Sequence, residues 1–135
     1  MKVEDLNGRQ YSWPPTGHEV SLSDKRPRSE PHLRCRALLR AMYPTQPILE
    51  EVPLPGIGLF CDFYLPFRQV MIECHGEQHY TYTAHFHGSR QGFAKSKRRD
   101  QNKIDWCCIN NIDMAILPHS ETEDEWRTRI EDADD

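Results

Sequence analysis

No stretch of this sequence is apolar for long enough to cross a bilayer, and its first residues, Met1-Lys2-Val3-Glu4-Asp5, lack the apolar core of a secretion signal. A soluble chain in the cytoplasm is the expectation. Paired cysteines are lacking too. The five, Cys35, Cys61, Cys74, Cys107 and Cys108, are odd in number and contain no C-x-x-C. That argues against a disulfide framework and fits a reducing compartment. There is no internal repeat and no low-complexity segment. Nor is there an excess of positive charge: 17 Lys and Arg face 21 Asp and Glu, a net charge of −4. Total charge alone therefore does not point to nucleic acid.

Its distribution does. Lys25, Arg26, Arg28, Arg34, Arg36 and Arg40 form one basic group; Arg90, Lys95, Lys97, Arg98, Arg99 and Lys103 form another; acid gathers between Glu121 and Asp135. Separated signs suggest a basic face for nucleic acid and an acidic tail. The plainer alternative is two solvated helix faces. The chain is polar, with a mean hydropathy of −0.79. Its apolar residues are nevertheless bunched, and 135 residues suffice for one domain with one core.

Residues 1–28 read as an arm, irregular apart from a small hairpin closed at Asn7-Gly8, and Ser21 to Arg28 as a mobile basic connection. Ser29 caps a helix with Pro31 in its first turn and Leu33, Ala37, Leu38, Ala41 and Met42 as its buried stripe. Strands are predicted near 48–54, 58–65 and 69–75, then a loop rich in His and aromatic residues to Gly88. A basic helix follows over 89–110, a strand over 112–117 and a helix over 121–130, with the last residues fraying. The fold class is α/β, in the order αβββαβ, the last strand joining by a helical crossover. The expected divisions are an arm at 1–28, a core at 29–118 and a C-terminal helix with acidic tail at 119–135.

The second and third strands carry the chemistry. Asp62 lies inside Leu59–Leu65, and Glu73 inside the run from Gln69 to Cys74, with a tight connection at Pro66-Phe67-Arg68 between them. A carboxylate in so apolar a strand is costly unless a partner or a metal compensates it. Two on paired strands could converge, and hard oxygen ligands suit Mg²⁺ or Mn²⁺. His75, Gln78 and His79 follow at once around Gly76. Titratable groups beside a metal are the ingredients of hydrolysis. The duller alternative makes Asp62 a bulge residue and Glu73 a solvated one.

The element order, Asp62, and the string Ile72-Glu73-Cys74-His75-Gly76-Glu77-Gln78-His79 together resemble the PD-(D/E)XK nuclease superfamily. They look most like the branch holding very-short-patch-repair endonucleases and related phage homing endonucleases. The likeness covers about residues 29–118 and implies a restriction-endonuclease-like core. It implies metal-dependent hydrolysis of phosphodiester bonds in duplex or branched DNA, with a phage as one source. It places Mg²⁺ or Mn²⁺ on Asp62 and Glu73, with the Cys74 carbonyl a further ligand or Glu73 merely adjacent. His75 stands where the superfamily's usual Lys would be. Catalysis falls to His75 or His79, with Glu30 and Asp100 matching the acidic residues of the two helices. The structural zinc of the patch-repair enzymes has no matching cysteines here and is not carried over.

Lys97, Arg98, Arg99 and Lys103, with Gln78, are the candidate DNA contacts, and specificity would come from DNA structure, a homodimer or a partner protein. Duller roles stand beside each: Glu30 as a dipole partner, Asp100 pairing along its helix, His85 and His87 as plain loop residues, Tyr80, Tyr82 and Phe86 as cover rather than base-stacking groups. Two other readings compete. One is a zinc-stabilised nucleic-acid-binding module without catalysis, built on Cys61, Cys74 and the nearby histidines. The other is a catalytically dead relative acting through its acidic tail.

Overall fold

A computed structural model describes residues 1–133, apart from the side chains of His85 and Phe86. The expectations for those two side chains and for the fraying end at Asp134 and Asp135 lie outside the described residues. The chain opens with a hairpin, β1 (Lys2–Glu4) against β2 (Gln10–Ser12). Gly8 takes a φ of +84° in its turn, a conformation that costs glycine little. The Asp5 carboxylate accepts from the amides of Asn7 and Arg9, both at 2.9 Å. Trp13 then drops into the core against Tyr64 and Trp106, with ring centroids 5.2 and 5.3 Å away.

The rest is one sheet with helices around it. It holds β3 (His18–Glu19), β4 (Leu49–Leu54), β5 (Leu59–Leu65), β6 (Val70–His75) and β7 (Asp113–Pro118), in that order. All neighbours are antiparallel except β6 and β7. A parallel pair needs a crossover. Here it runs through a 3₁₀ turn (Glu77–His79), α2 (Ala84–His87) and α3 (Arg90–Ile109). The expected α/β class, the αβββαβ order and the mixed sheet flanked by helices are therefore present. Every residue of β6 is buried, as befits a central strand. No helix among the described residues is long and apolar enough to cross a membrane.

Two apolar clusters cover the sheet. One packs α1 (Glu30–Met42) and α4 (Glu123–Ala133) against Phe63, Ile72 and Leu117. The other packs the N-terminal hairpin and α3 against Val52, Cys61 and Met71. Ser29 caps α1 as expected, accepting from the His32 amide at 3.3 Å, and Ser89 caps α3 through the Gly92 amide at 3.0 Å.

Three expectations need correction. The first 28 residues are not only an arm: β3 adds an edge strand, Val20 enters the core, and Arg28 is pinned by Glu51. The buried stripe of α1 is also turned. Leu33, Ala37 and Ala41 are exposed, while Cys35, Leu38 and Leu39 are buried together with His32 and Arg36. The reason is Glu50, a carboxylate 1% exposed inside β4. Its charge must be met in place, and α1 presents the two side chains that meet it. On α3 the sequence offers Phe93, Ile104, Trp106, Cys107 and Cys108 as the apolar side; Trp106 and Cys107 form the buried face, but Cys108 is exposed.

Candidate active site

The sheet is deformed around one residue. Pairing of β4 with β5 runs in register from Leu49–Tyr64 to Leu54–Leu59, skipping the rung where Glu51 would face Asp62. Glu51 sits at a φ of +56°, a strained choice for a side chain with a Cβ. On the other side, pairing of β5 with β6 stops at Phe63–Ile72, one rung before Asp62 would face Glu73. Side chains take over there. The Asp62 amide donates to Glu73 Oε2 at 2.7 Å, and the Cys74 amide donates to Asp62 Oδ2 at 2.8 Å. The two strands part, and both carboxylates stand in the gap. Backbone strain at a charged strand residue is a pointer toward function rather than toward stability.

Lys103 enters the gap from α3. Its Nζ lies 2.7 Å from Glu73 Oε1. Burial works to raise the Glu73 carboxyl, but His75 and the Lys103 ammonium outweigh it and hold it at about 2. Burial likewise works to lower Lys103, and Glu73 more than reverses that. Among the described residues no ammonium or guanidinium pairs directly with Asp62, though the Lys103 charge also favours its ionised form. Burial first, then the charge of Glu73, push its carboxyl well above the ordinary carboxylate range. One negative charge thus rests on Glu73, paired with Lys103, and a second carboxyl beside it has no ion-pair partner of its own on a lysine or arginine among the described residues.

The basic helix also fixes the histidines. His79 Nδ1 lies 3.0 Å from Asp100 Oδ2. Burial works to raise Asp100, and its bond to His79 overrides this, leaving it lowered. A carboxylate only accepts, so His79 donates from Nδ1 and keeps Nε2 for the pocket. The His75 ring stacks on His79 at 4.0 Å between centroids and 7° between planes, and His75 Nε2 lies 3.9 Å from Glu73 Oε1. Ring by ring, these contacts join Asp100 to Glu73. A pocket of about 410 Å³ opens onto this row, lined by Phe60, Gln78, His79, Arg99, Asp100 and Lys103 among others.

Of the residues read from sequence, Asp62, Glu73, His75, His79, Asp100 and Lys103 converge. Asp62, with a side chain 32% exposed, has the donor set and the uncompensated charge that suit a divalent cation. Glu73 suits it less, because both its oxygens are already engaged. Cys74 contributes its amide to Asp62. Glu30 is exposed on a separate shallow pocket with Gly76, Glu77 and Gln78; Asp100 is the acid that holds His79. Lys97 is exposed but tied down: it donates to the His79 carbonyl and lies over the Tyr80 ring at 5.2 Å. Lys103 is turned inward, while Arg98 and Arg99 are exposed.

His75, His79 and Asp100 each offer a ligand atom within 4.8 Å of the others. Imidazole lone pairs lie in the ring plane, however, so two stacked rings aim them side by side; one would have to turn to share an ion. His87 is tied up by Thr83 and by the Gln78 carbonyl at 2.8 Å. Burial raises the Cys61 and Cys74 thiols well above their ordinary range, which disfavours the thiolate that zinc binds.

Sequence reasoning missed His32 and Glu50. His32 is buried, packs at a tilt against Phe63 with centroids 4.7 Å apart, and hydrogen-bonds Glu50 Oε2 through Nε2. Arg36 reaches the same oxygen at 2.7 Å. Burial works to raise Glu50, and His32 and Arg36 together lower it. From the other side of its ring, His32 Nδ1 lies 3.9 Å from Asp62 Oδ1.

No family model matches the chain, and no solved structure matches it. Two curated viral proteins do. It is 32% identical over 65 residues to uncharacterized protein 307L of Invertebrate iridescent virus 6, covering 48% of this chain and 33% of that protein. It is 26% identical over 97 residues to uncharacterized protein 033L of Invertebrate iridescent virus 3, covering 68% of this chain and 50% of that protein. The chain therefore spans between a third and a half of the curated relatives it matches.

Proposed function

We propose that this chain is a metal-dependent DNA endonuclease, related to the patch-repair-like branch of the PD-(D/E)XK superfamily, with Mg²⁺ or Mn²⁺ as its cation. One observation carries the reading. Two strands part around Asp62 and Glu73, and a basic helix delivers Lys103 and an Asp100-held His79 to the same gap.

Each group has a task in phosphodiester hydrolysis. A divalent cation held by Asp62 would supply charge to the non-bridging oxygens and lower the pKa of an attacking water. Lys103, fixed by Glu73, brings a positive charge into the pocket from α3. It fills in space the role left open in sequence, where His75 stands in place of the superfamily's lysine. His79 takes a proton from water or hands one to the leaving oxygen through Nε2, and Asp100 keeps it in the correct tautomer. His75, stacked beneath it, keeps the ring from turning. Arg99 at the pocket mouth, and Arg98 beside it in sequence, suit backbone phosphate, which gives affinity without sequence reading.

The test is cleavage of supercoiled plasmid and of mismatched, branched and single-stranded DNA with Mg²⁺ or Mn²⁺. The expected result is nicking or linearisation that Asp62→Ala and His79→Ala abolish. Undiminished cleavage in Asp62→Ala, or no cleavage of any substrate with either metal, would overturn the proposal.

A further inference from the structure

His32 and Asp62 face each other across a gap that no hydrogen bond spans. At 3.9 Å, Nδ1 and Oδ1 are too far apart for one. Two metal–ligand bonds of about 2.0–2.2 Å each meeting at an angle would cover the gap. The far side of the imidazole is already committed. Glu50 is 1% exposed, and Arg36 holds it at 2.7 Å. An ionised carboxylate only accepts, so His32 must donate to it from Nε2. This leaves Nδ1 as the nitrogen that faces Asp62, and among the described residues no hydrogen bond engages it.

A histidine whose outer N–H is clamped by a buried carboxylate, with its other nitrogen turned toward a second carboxylate, is how proteins orient an imidazole ligand. The ring is also packed against Phe63, tilted by 31° with centroids 4.7 Å apart. Its position is also fixed from the helix side: His32 lies in the first turn of α1, which Ser29 caps through the His32 amide at 3.3 Å. Asp62 is fixed from its own side by the Cys74 amide on Oδ2, which leaves Oδ1 for another partner. His32 comes from α1 and Asp62 from β5, at the point where β5 loses its pairing with both neighbouring strands.

We infer that His32 and Asp62 together bind one divalent transition-metal ion, with Glu50 as the hydrogen-bond partner that aims the imidazole, so that the site prefers Mn²⁺, Co²⁺ or Zn²⁺ to Mg²⁺. This deepens the nuclease reading, since it names the second ligand of the cation placed there on Asp62. Imidazole suits the transition metals, whereas Mg²⁺ prefers oxygen donors and gives up its water reluctantly. With only two protein ligands, the remaining positions stay open to water or to a phosphate oxygen.

The experiment needs no DNA. Purified full chain is titrated with Co²⁺, Mn²⁺ and Mg²⁺ by calorimetry. The Co²⁺ form is examined by visible absorption and the Mn²⁺ form by electron spin echo for coupled ¹⁴N. The expected results are one equivalent of Co²⁺ and a nitrogen signature in the wild type, and loss of the nitrogen signature in His32→Ala. The affinity of that variant for Co²⁺ should fall about tenfold or more, while its weak Mg²⁺ binding changes little. His32→Asn, checked for native circular dichroism, repeats the test should the alanine variant not fold. Absence of a nitrogen signature in the wild type overturns the inference without any variant, as does unchanged Co²⁺ affinity in a folded His32 variant. Metal binding that depends on His32 in a chain that cleaves no DNA would keep this inference and sink the nuclease; cleavage without a nitrogen ligand would do the reverse.

Discussion

Asp62→Asn should make the metal-free protein more stable at neutral pH. Asparagine has nearly the same shape, and its carbonyl can keep the bond from the Cys74 amide at 2.8 Å. What it removes is a charge set beside Glu73, whose own negative charge Lys103 already satisfies at 2.7 Å. The new amide nitrogen can donate toward His32 Nδ1, 3.9 Å from the present Oδ1. Burial and Glu73 raise the Asp62 carboxyl above its ordinary value of 3.8. The folded state therefore holds this proton more tightly than the unfolded one, and stability falls as pH rises from about 4 through the folded pKa. Each tenfold gain in proton affinity corresponds to about 1.4 kcal/mol lost above that window.

A gain of about 1 kcal/mol at pH 8 is expected, the modest size that suits a carboxyl still partly open to water and still bonded to the Cys74 amide. At roughly 3–6 °C per kcal/mol for a chain of this size, thermal unfolding followed by circular dichroism will resolve it. The gain should shrink toward zero at pH 3.5, where the carboxyl is protonated in both states. A variant less stable than wild type at pH 8, or a gain independent of pH, would refute the reasoning.

Three other outcomes follow from the same contacts. Lys103→Ala removes the cation from Glu73, which is 2% exposed, and should cost about 3–5 kcal/mol by urea denaturation; a loss under 1 kcal/mol would show that the pair is not closed. Glu50→Gln strands Arg36 and loosens His32, with a similar loss at pH 7. Because Glu50 is held below its ordinary 4.5, its contribution is present above that value and is lost as pH falls through the folded pKa, so the deficit of the variant should narrow in acid. Gly92→Ala would place a methyl 2.1 Å from the His87 carbonyl oxygen. The joint between α2 and α3 must then shift, costing about 1–3 kcal/mol and loosening His87 in amide exchange.

Much of this was legible from residue order, and what was not has a physical reason. The apolar and aromatic runs in Leu59–Leu65 and Val70–His75 placed the strands, and Asp62 and Glu73 stood out because charge is rare in such runs. Asp100 was legible as a possible holder of a histidine, though Glu30 looked equally good. Only the three-dimensional path of the 76–88 segment, which turns His79 toward α3, separates the two. Lys103 was read as a surface cation because its neighbours are basic. Helical spacing said otherwise: it lies three residues before Trp106 and four before Cys107, the buried pair of α3. Glu50 carried a similar signal. It shares the inward parity of Val52 and Leu54 in β4, and a carboxylate on an apolar parity asks for a buried partner. His32 had no sequence signal of its own. Its role depends on a contact between α1 and β4, across 18 residues of chain, that periodicity within either element does not encode.

The arrangement of charge argues that Asp62, rather than Glu73, is the group built for a ligand. Both carboxyls share one gap between the strands, Glu73 buried and Asp62 partly open, yet their environments drive them in opposite directions: Glu73 down to about 2, Asp62 well up. Around Glu73 the chain closes every option, with an amide on one oxygen and an ammonium on the other. Around Asp62 it leaves one oxygen open, opposite an imidazole held from behind by the buried Glu50, and it strains Glu51 to a φ of +56° on the neighbouring strand. A fold selected only for stability would have no reason to keep such a residue, because asparagine would satisfy the Cys74 amide without the charge. Pairs of titratable groups whose surroundings push them apart are how one site supplies both a fixed charge and a receptive one. Adding a saturating divalent cation should therefore stabilise the wild type more than Asp62→Asn, by an amount that grows with cation concentration. Equal stabilisation of both proteins would place the cation elsewhere.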